Sequence, residues 1–325
     1  MQIRSLVPAE GRFLDQILDA TYEIWHEGLS RTAYARYYTA QRATAWGRSH
    51  LDRVALVDGG TAIASAKRYL FDATLDGVRL RAIGLGAIFT DPAHRRTGAA
   101  RELVERILET AAAAGVDLAL LFSEIGPDYY AGLGFTAINA HDVELVVAES
   151  PRHGAPMAMV RAGEERDLGD VVSMGNVRAA PYRFHLDRDR DLVQFAIAKR
   201  RLLAGLGPPG GREVQFFVAE EGGSAAAYVV ISGRQDEWTI EECGDRDPSG
   251  ARLGALLQVL IARDPVERRP VIRASLPEGL APPQLSTIGR APSSDVMMVQ
   301  ALRGKAAGAA ALREEEILYW RSDKF

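Results

Sequence analysis

The sequence predicts a mixed α/β fold arranged as two domains and a C-terminal tail. Three observations support this: the length of 325 residues, apolar spacing that switches between strand and helix periods, and an element order that recurs in both halves. Domains usually contain about 100 to 200 residues, so this length favours two. With 47% hydrophobic and 25% charged residues, the composition supplies two cores and excludes a disordered chain.

The first half combines strands and helices in the order expected of a mixed sheet. The predicted elements are a strand at 1–7, helices at 13–25 and 32–48, strands at 53–57, 63–73 and 79–89, a helix at 98–114 and a strand at 116–122. Asp76-Gly77 is the signal of a tight hairpin turn between the strands at 63–73 and 79–89. The last strand is a continuous apolar run, which is typical of a strand buried on both faces.

The order recurs after residues 150–156, where two prolines and a glycine predict a linker. The second half contains predicted strands at 157–161, 214–220, 225–232, 237–242, 271–274 and 296–302, with helices at 164–180, 190–203 and 248–263. We therefore assign one domain to residues 1–150, a second to 151–303 and a tail to 304–325. The Gly/Ala-rich start of the tail is expected to be flexible, whereas its apolar end, including Trp320 and Phe325, is expected to dock.

Charge and cysteine content limit the partners. The 39 Lys and Arg against 43 Asp and Glu leave a net charge of −4, so attraction to nucleic acid or an anionic membrane is not expected. The single cysteine, Cys243, excludes an internal disulfide or a multi-cysteine zinc site, and the histidines show no metal-ligand spacing. Because the sequence has no signal-peptide pattern and no long apolar run, we expect a cytoplasmic protein. We also expect that it binds no metal and that it is a monomer or a small homo-oligomer.

The strongest motif lies between a strand and the helix that follows it: Asp91-Pro92-Ala93-His94-Arg95-Arg96-Thr97-Gly98-Ala99-Ala100. Small residues at 98–100 let an anion approach the free N–H groups of the first helical turn, where the helix dipole favours negative charge. Arg95 and Arg96 add charged donors. The motif predicts a pyrophosphate site; the alternative is a solvated basic helix start.

This motif and a later one resemble the GCN5-related N-acetyltransferase (GNAT) superfamily over residues 1–148. Arg95-x-x-Gly98-x-Ala100 is similar to the family's acetyl-CoA loop, and Tyr130-Ala131-Gly132-Leu133-Gly134-Phe135 is similar to its late Tyr-x-x-x-Gly-Phe element. The resemblance implies acetyl-CoA as acyl donor and Tyr130 as the acid that protonates the departing thiolate. An aromatic core anchor is the alternative role for Tyr130. The implied cofactor-binding residues are Ile88, Phe89, Thr90, Arg95, Arg96, Thr97, Gly98, Ala99, Ala100, Arg101, Ser123 and Glu124.

The catalytic base is less clearly marked. The strand at 83–89 contains no carboxylate, so Glu124 and Glu27 are candidates, and Glu27 belongs with Trp25 and His26 to a predicted substrate-binding loop. A duplicated arrangement ending in Phe325 resembles the Eis (enhanced intracellular survival) type of acetyltransferase. That resemblance implies that the terminal carboxylate of Phe325 is the base. The choice among Phe325, Glu124 and a water relay stays open.

The second half departs from the acetyl-CoA motif. Its corresponding turn, residues 244–250, lacks the Arg-x-x-Gly-x-Ala pattern and carries Asp245 and Asp247, which would repel a pyrophosphate. We therefore expect a degenerate GNAT-like domain that does not bind CoA.

These features predict an N-acetyltransferase that acts on a primary amine of a small molecule or peptide. Two alternatives stay open: a long-chain acyl-CoA N-acyltransferase acting on a natural product, and a CoA-binding sensor without turnover. The sequence does not choose the acceptor or the acyl chain length.

Overall fold

The fold is described from a computed structural model, for residues 4–148, 159–234, 237–262, 265 and 268–325. The predicted linker at 150–156 lies outside these residues. Within them, strands and helices form a mixed α/β structure with two mixed sheets, as predicted.

The first part of the chain contains the elements that the local patterns predict. Its strands are β1 (Ser5–Pro8), β2 (Leu51–Asp58), β3 (Thr61–Leu75), β4 (Val78–Thr90), β5 (Leu118–Ser123), β6 (Thr136–Ile138) and β7 (His141–Val147). Its helices are α1 (Arg12–Trp25), α2 (Arg31–Ala43), α3 (Ala45–His50), α4 (Ala99–Ala113) and α5 (Asp128–Ala131).

The second part repeats much of this order. Its strands are β8 (Met159–Ala162), β9 (Phe184–Leu186), β10 (Glu213–Glu221), β11 (Ser224–Arg234), β12 (Glu237–Asp245), β13 (Val271–Ala274), β14 (Leu285–Pro292), β15 (Val296–Ala301) and β16 (Ile317–Leu318). Its helices are α6 (Leu168–Ala179), α7 (Arg190–Leu206) and α8 (Ala251–Ile261), and 3₁₀ turns lie at Gly304–Ala311, Glu314–Glu316 and Arg321–Asp323.

The two sheets have the same strand order and exchange one strand. The first sheet runs β1-β2-β3-β4-β5-β15-β6, and the second, taken from its other edge, runs β8-β10-β11-β12-β13-β7-β14. Each sheet has one parallel pair in this path, β4 with β5 and β12 with β13. Strand β15 lies between β5 and β6 of the first sheet, and β7 lies between β13 and β14 of the second. Each half therefore completes the other's sheet.

Two local predictions are wrong in detail. The predicted helix at 32–48 is interrupted at Thr44, whose extended backbone ends α2 and whose hydroxyl accepts a hydrogen bond from Gly47 N at 3.0 Å to begin α3. The Gly/Ala segment at 304–311 is an ordered 3₁₀ turn, because Ala306 and Ala309 pack with no exposed surface against the first sheet. Small side chains allow this close packing.

A helix packs against each sheet and holds it in place through buried leucine, valine and isoleucine side chains. Helix α4 buries Leu103, Val104 and Ile107 against the first sheet, and α8 buries Leu253, Leu256 and Leu257 against the second. Among the described residues, no helix combines the length and the apolar character that a bilayer crossing requires.

Candidate active site

The predicted anion site forms a solvent-facing turn before α4. Gly98 has φ of 82°, a left-handed conformation that glycine adopts without strain, and a Cβ built on it would meet nothing within 4 Å. Arg95 and Arg96 are exposed, and among the described residues neither forms an ion pair with a carboxylate. The first turn of α4 has no side-chain cap. Its N–H groups and both guanidinium groups are therefore available to a ligand anion.

Strands β4 and β5 separate at their carboxyl ends. Their parallel pairing runs from Ala82–Leu118 to Leu85–Leu121, and β4 then continues to Thr90 paired with β3 but no longer with β5. A bulge at the same place gives Ala87 a φ of 46° and shifts the register with β3. The separated strands leave an opening in the sheet beside Ile88.

The Tyr130 ring is mostly buried beside this opening. It packs edge-on to Tyr129 and Phe135, with ring centroids 5.0 and 6.2 Å apart. Burial, and to a lesser degree Tyr129 and Glu124, raise the pKa of Tyr130 to about 12. The phenol therefore holds its proton at neutral pH, as a proton donor must.

The last residue of the chain reaches the same opening. The Phe325 ring stacks on Tyr69 at 4.8 Å between centroids and lies edge-on to Phe122 at 5.5 Å. It lies so close to β4 that a Cβ on Gly84 would overlap the ring, and a Cβ on Gly86 would be 3.1 Å from the carboxyl carbon of Phe325. Two glycines in β4 thus make room for the chain terminus.

Residues of the second half hold the tail in this position. Buried Arg188 lies 2.7 Å from Glu242 and 3.2 Å from Asp323, and Ser322 donates to Glu242 at 2.6 Å. Lys199 donates to the backbone carbonyl of Lys324. These partners fix the residues immediately before Phe325, because a buried charged network has one satisfied arrangement.

Two adjoining cavities meet at Phe325. The inner cavity, of about 310 Å³, contains the strand opening; its lining includes Arg53, Lys67, Gly86, Ala87, Ile88, Ser123, Glu124, Tyr130 and Phe325. The outer cavity, of about 650 Å³, lies between the halves; its lining includes Glu27, Lys67, Glu124, Lys199, Glu241 and Phe325. A separate cavity of about 560 Å³ beside α7 contains none of the predicted site residues.

The other predicted site residues differ in their placement. Trp25 lies edge-on to Phe89 at 6.5 Å and lines the inner cavity, and Glu27 lines both cavities while pairing with Arg212 at 2.8 Å. His26 lines neither cavity; its Nδ1 accepts from Gly28 N at 3.0 Å and supports the loop.

Two predicted cofactor residues already have partners. Arg101 bonds Glu105 and the Gly132 carbonyl, and the Ser123 hydroxyl donates to Gly126 O at 2.5 Å. Glu124, next to Ser123, is exposed and lines both cavities.

Several cationic residues of the cavities were not predicted from the sequence, among them Arg53, Lys67 and Lys199. Burial, and to a lesser degree Arg53 and Lys199, lower the pKa of Lys67 to about 7. A usable signal existed for Arg53, which is the one basic residue in the otherwise largely apolar strand Leu51–Asp58. In the described part of the chain, no cluster of His, Cys, Asp and Glu could hold a metal ion.

Comparisons with known proteins identify the type of domain in the first half. Residues 14–138 match a family model described as an acetyltransferase (GNAT) domain. No curated protein is similar in sequence.

Solved structures with the same fold cover most of the chain. One is a probable N-acyltransferase of unknown function from Enterococcus faecalis, with 14% identity and TM-score 0.68, covering 93% of this chain and 73% of that one. Another is a GCN5-related N-acetyltransferase from Kribbella flavida, with 17% identity, TM-score 0.66 and coverage of 96% and 74%. Eis1 from Mycobacterium abscessus has 14% identity, TM-score 0.58 and coverage of 95% and 76%. At these identities, the similarity shows a shared fold.

Proposed function

The chain is an acyltransferase with a GNAT domain, and from this premise we propose that it transfers an acetyl group from acetyl-CoA to a primary amine of a small molecule or peptide. The repeated strand order supports two GNAT-like halves, of which the first carries the chemistry. The boundary near residue 150 is part of this proposal.

The turn before α4 fits the pyrophosphate of an acyl-CoA. Gly98 leaves open space where a side chain would stand, and Arg95 and Arg96 face solvent without carboxylate partners among the described residues. The opening beside Ile88, in the strand that precedes this turn, shares the inner cavity with Tyr130. When bound, acetyl-CoA supplies a thioester whose carbonyl carbon is attacked by the amine and whose carbon–sulfur bond breaks.

The observation that carries the proposal is the position of the Phe325 carboxylate, which shares the inner cavity with Tyr130. The carboxylate accepts the proton that the amine nitrogen loses as its bond to carbon forms. The Tyr130 hydroxyl holds the proton required by the departing sulfur. One proton is removed and one is delivered, so the reaction needs no further reactant. Glu124 lines the same cavity and is the alternative base.

The test extends the chain by two glycines after Phe325, which moves the carboxylate without altering the turn before α4. Thiol release from acetyl-CoA is measured across a panel of primary amines, and acetyl-CoA affinity is measured by calorimetry. We expect turnover to fall at least about tenfold and the affinity for acetyl-CoA to be retained. The tenfold threshold is set lower than the usual contribution of a general base, which is about 10²- to 10⁴-fold. The control is Phe325→Leu, which keeps the carboxylate.

Three results would contradict the proposal in different ways. Full activity of the extended chain would remove Phe325 as base and leave Glu124 or water. Thiol release with octanoyl-CoA but not with acetyl-CoA would point to long-chain acyl transfer. Absence of thiol release with every amine of the panel would point to a CoA-binding sensor.

A further inference from the structure

Arg53 is a buried cation without a matching anion. Its residue is 2% exposed, its guanidinium lies over the Tyr38 ring at 5.4 Å, and it lines the inner cavity. One nitrogen reaches the Ser65 hydroxyl at 3.5 Å, whereas Nε and Nη2 have no hydrogen-bond partner among the residues that the structure describes. Within the described ranges, no carboxylate pairs with it.

Lys67 stands directly opposite Arg53 on the neighbouring strand. The two residues are paired in the antiparallel register of β2 and β3, and the Lys67 amine lies 5.6 Å from the same Tyr38 ring. Lys67 lines both cavities, and in the part of the chain described it forms no ion pair. The nearby charges that act on it, Arg53 and Lys199, are both positive.

This arrangement costs stability in the empty protein. Like charges directly opposite on adjacent strands destabilise a sheet, and a buried charge without a partner is more costly than a paired one. The ring face of Tyr38 offsets part of the cost through cation–π attraction. The remaining cost, and two unpartnered guanidinium nitrogens on a residue that lines the inner cavity, indicate a group that is supplied from outside.

We propose that Arg53 and Lys67 bind an anionic group of the acceptor, so that the substrate is an amine that also carries a carboxylate, phosphate or sulfate. This inference rests on the proposed acetyl transfer and narrows its substrate class. A guanidinium can bind such a group through two parallel hydrogen bonds, and Lys67 adds a third donor.

The rest of the lining suits a molecule with both charges. Glu27 and Glu124 line the same cavity as Arg53, and the Phe325 carboxylate lies at Gly86. These acids attract the ammonium end of the acceptor, whereas Arg53 and Lys67 hold its anionic end. The amine is thereby directed toward the chain terminus.

Binding is tested with benzoate and inorganic phosphate as probes, by calorimetry on the full chain without CoA. The variants are Arg53→Met and Lys67→Met, and the matched control is Arg36→Met on the exposed face of α2. We expect at least one probe to bind the unaltered protein and the Arg36 variant alike, and Arg53→Met to weaken that binding at least about tenfold. Which probe binds distinguishes a carboxylate from a phosphate site. Failure of both probes to bind, or unchanged binding by Arg53→Met, would overturn the proposal.

Thermal melting separates this role from a structural one. Removal of an unpaired buried charge is expected to raise the melting temperature of ligand-free Arg53→Met, whereas a structural arginine would lower it. If Arg53→Met did not fold, the proposal would be tested with Lys67→Met, whose side chain also lines the outer cavity. This variant should weaken probe binding by the same factor of at least about ten.

Acetyl transfer is then compared for amine pairs that differ only in an anionic group: phenylalanine against phenethylamine, and phosphoethanolamine against ethanolamine. We expect the anionic member of one pair to have the higher kcat/KM, and Arg53→Met to remove that preference. Transfer without any preference would overturn the anion site and leave the proposed function intact. Arg53-dependent probe binding without any transfer would support the anion site and count against the proposed function.

Discussion

The N-termini of α4 and α8 have the same backbone conformation, but different groups occupy the space in front of them. Both α4 and α8 follow a left-handed glycine, Gly98 with φ of 82° and Gly250 with φ of 73°. Before α8, the buried carboxylate of Asp245 accepts a hydrogen bond from Leu253 N at 2.8 Å. A Cβ on Gly250 would be 2.9 Å from Pro282. The second helix start thus binds its own chain, whereas the first is open to solvent.

The strand openings differ in the same way. Pairing of β12 with β13 ends at Ile240 and Ala274, much as β4 and β5 separate after Leu85 and Leu121. In the second half, Leu318 and Trp320 of the tail pack into the core beside Ile240. In the first half, Phe325 of the tail lines the opening beside Ile88, and a cavity remains there. Under the proposed function, one topology therefore serves two purposes: the first half binds the acyl donor, and the second holds the tail that supplies Phe325.

The largest effect is expected from separating the halves. A chain ending at residue 150 lacks β15, which lies between β5 and β6 and supplies the buried residues Met298 and Val299. We expect no cooperative unfolding transition by circular dichroism, and recovery of folded protein when residues 151–325 are co-expressed. Cooperative melting of residues 1–150 alone, with normal acetyl-CoA affinity, would mean that the first half is self-sufficient.

A smaller but clear effect is expected for Tyr130→Phe, which tests whether the chemistry belongs to the first half. Loss of a general acid typically lowers kcat about 10²- to 10⁴-fold, and the acetyl-CoA affinity should change little. The control is Tyr129→Phe, whose ring lies against Tyr130 but which does not line the inner cavity.

The same variant gives a pH prediction. Because burial raises the pKa of Tyr130 to about 12, the phenol stays protonated at neutral and mildly alkaline pH. The rate of the unaltered enzyme should therefore show no decline from Tyr130 between about pH 6 and 10. A decline in that range that disappears in Tyr130→Phe would contradict this assignment.

Gly84→Ala is expected to have a moderate effect by displacing the tail from the first half. The new methyl group would overlap the Phe325 ring and shift its carboxylate, and misplacement of a reacting group by about 1 Å can cost up to about a hundredfold. Turnover should fall while acetyl-CoA affinity is kept. Gly175→Ala in α6, where a Cβ meets nothing within 4 Å, serves as the control. Equal turnover of both variants would count against a role for the tail.

Local patterns in the sequence predicted the parts of this comparison that depend on neighbouring residues. The turn at Gly98, the hairpin at Asp76 and the aspartates before α8 all follow from residue types within one turn or loop. The docking of Phe325 was expected because an apolar tail does not stay in water.

The rest depends on contacts between distant parts of the chain. The exchange of β7 and β15 joins strands from opposite halves. The residue pattern of a strand indicates that it is buried but does not specify which of the two sheets it joins. Arg53 and Lys67 become a pair only through strand register. Gly84 and Gly86 are explained only by a residue about 240 positions further along the chain.

Calorimetric titration of the full chain with acetyl-CoA tests the central claim, that only the first half binds the acyl donor. The account predicts one site per chain, and Arg96→Glu should weaken it at least about tenfold, because it replaces a donor to the pyrophosphate with a like charge. Asp247→Asn should leave the stoichiometry at one, since Asp245 still occupies the start of α8. Two sites per chain, or unchanged affinity in Arg96→Glu, would contradict the account.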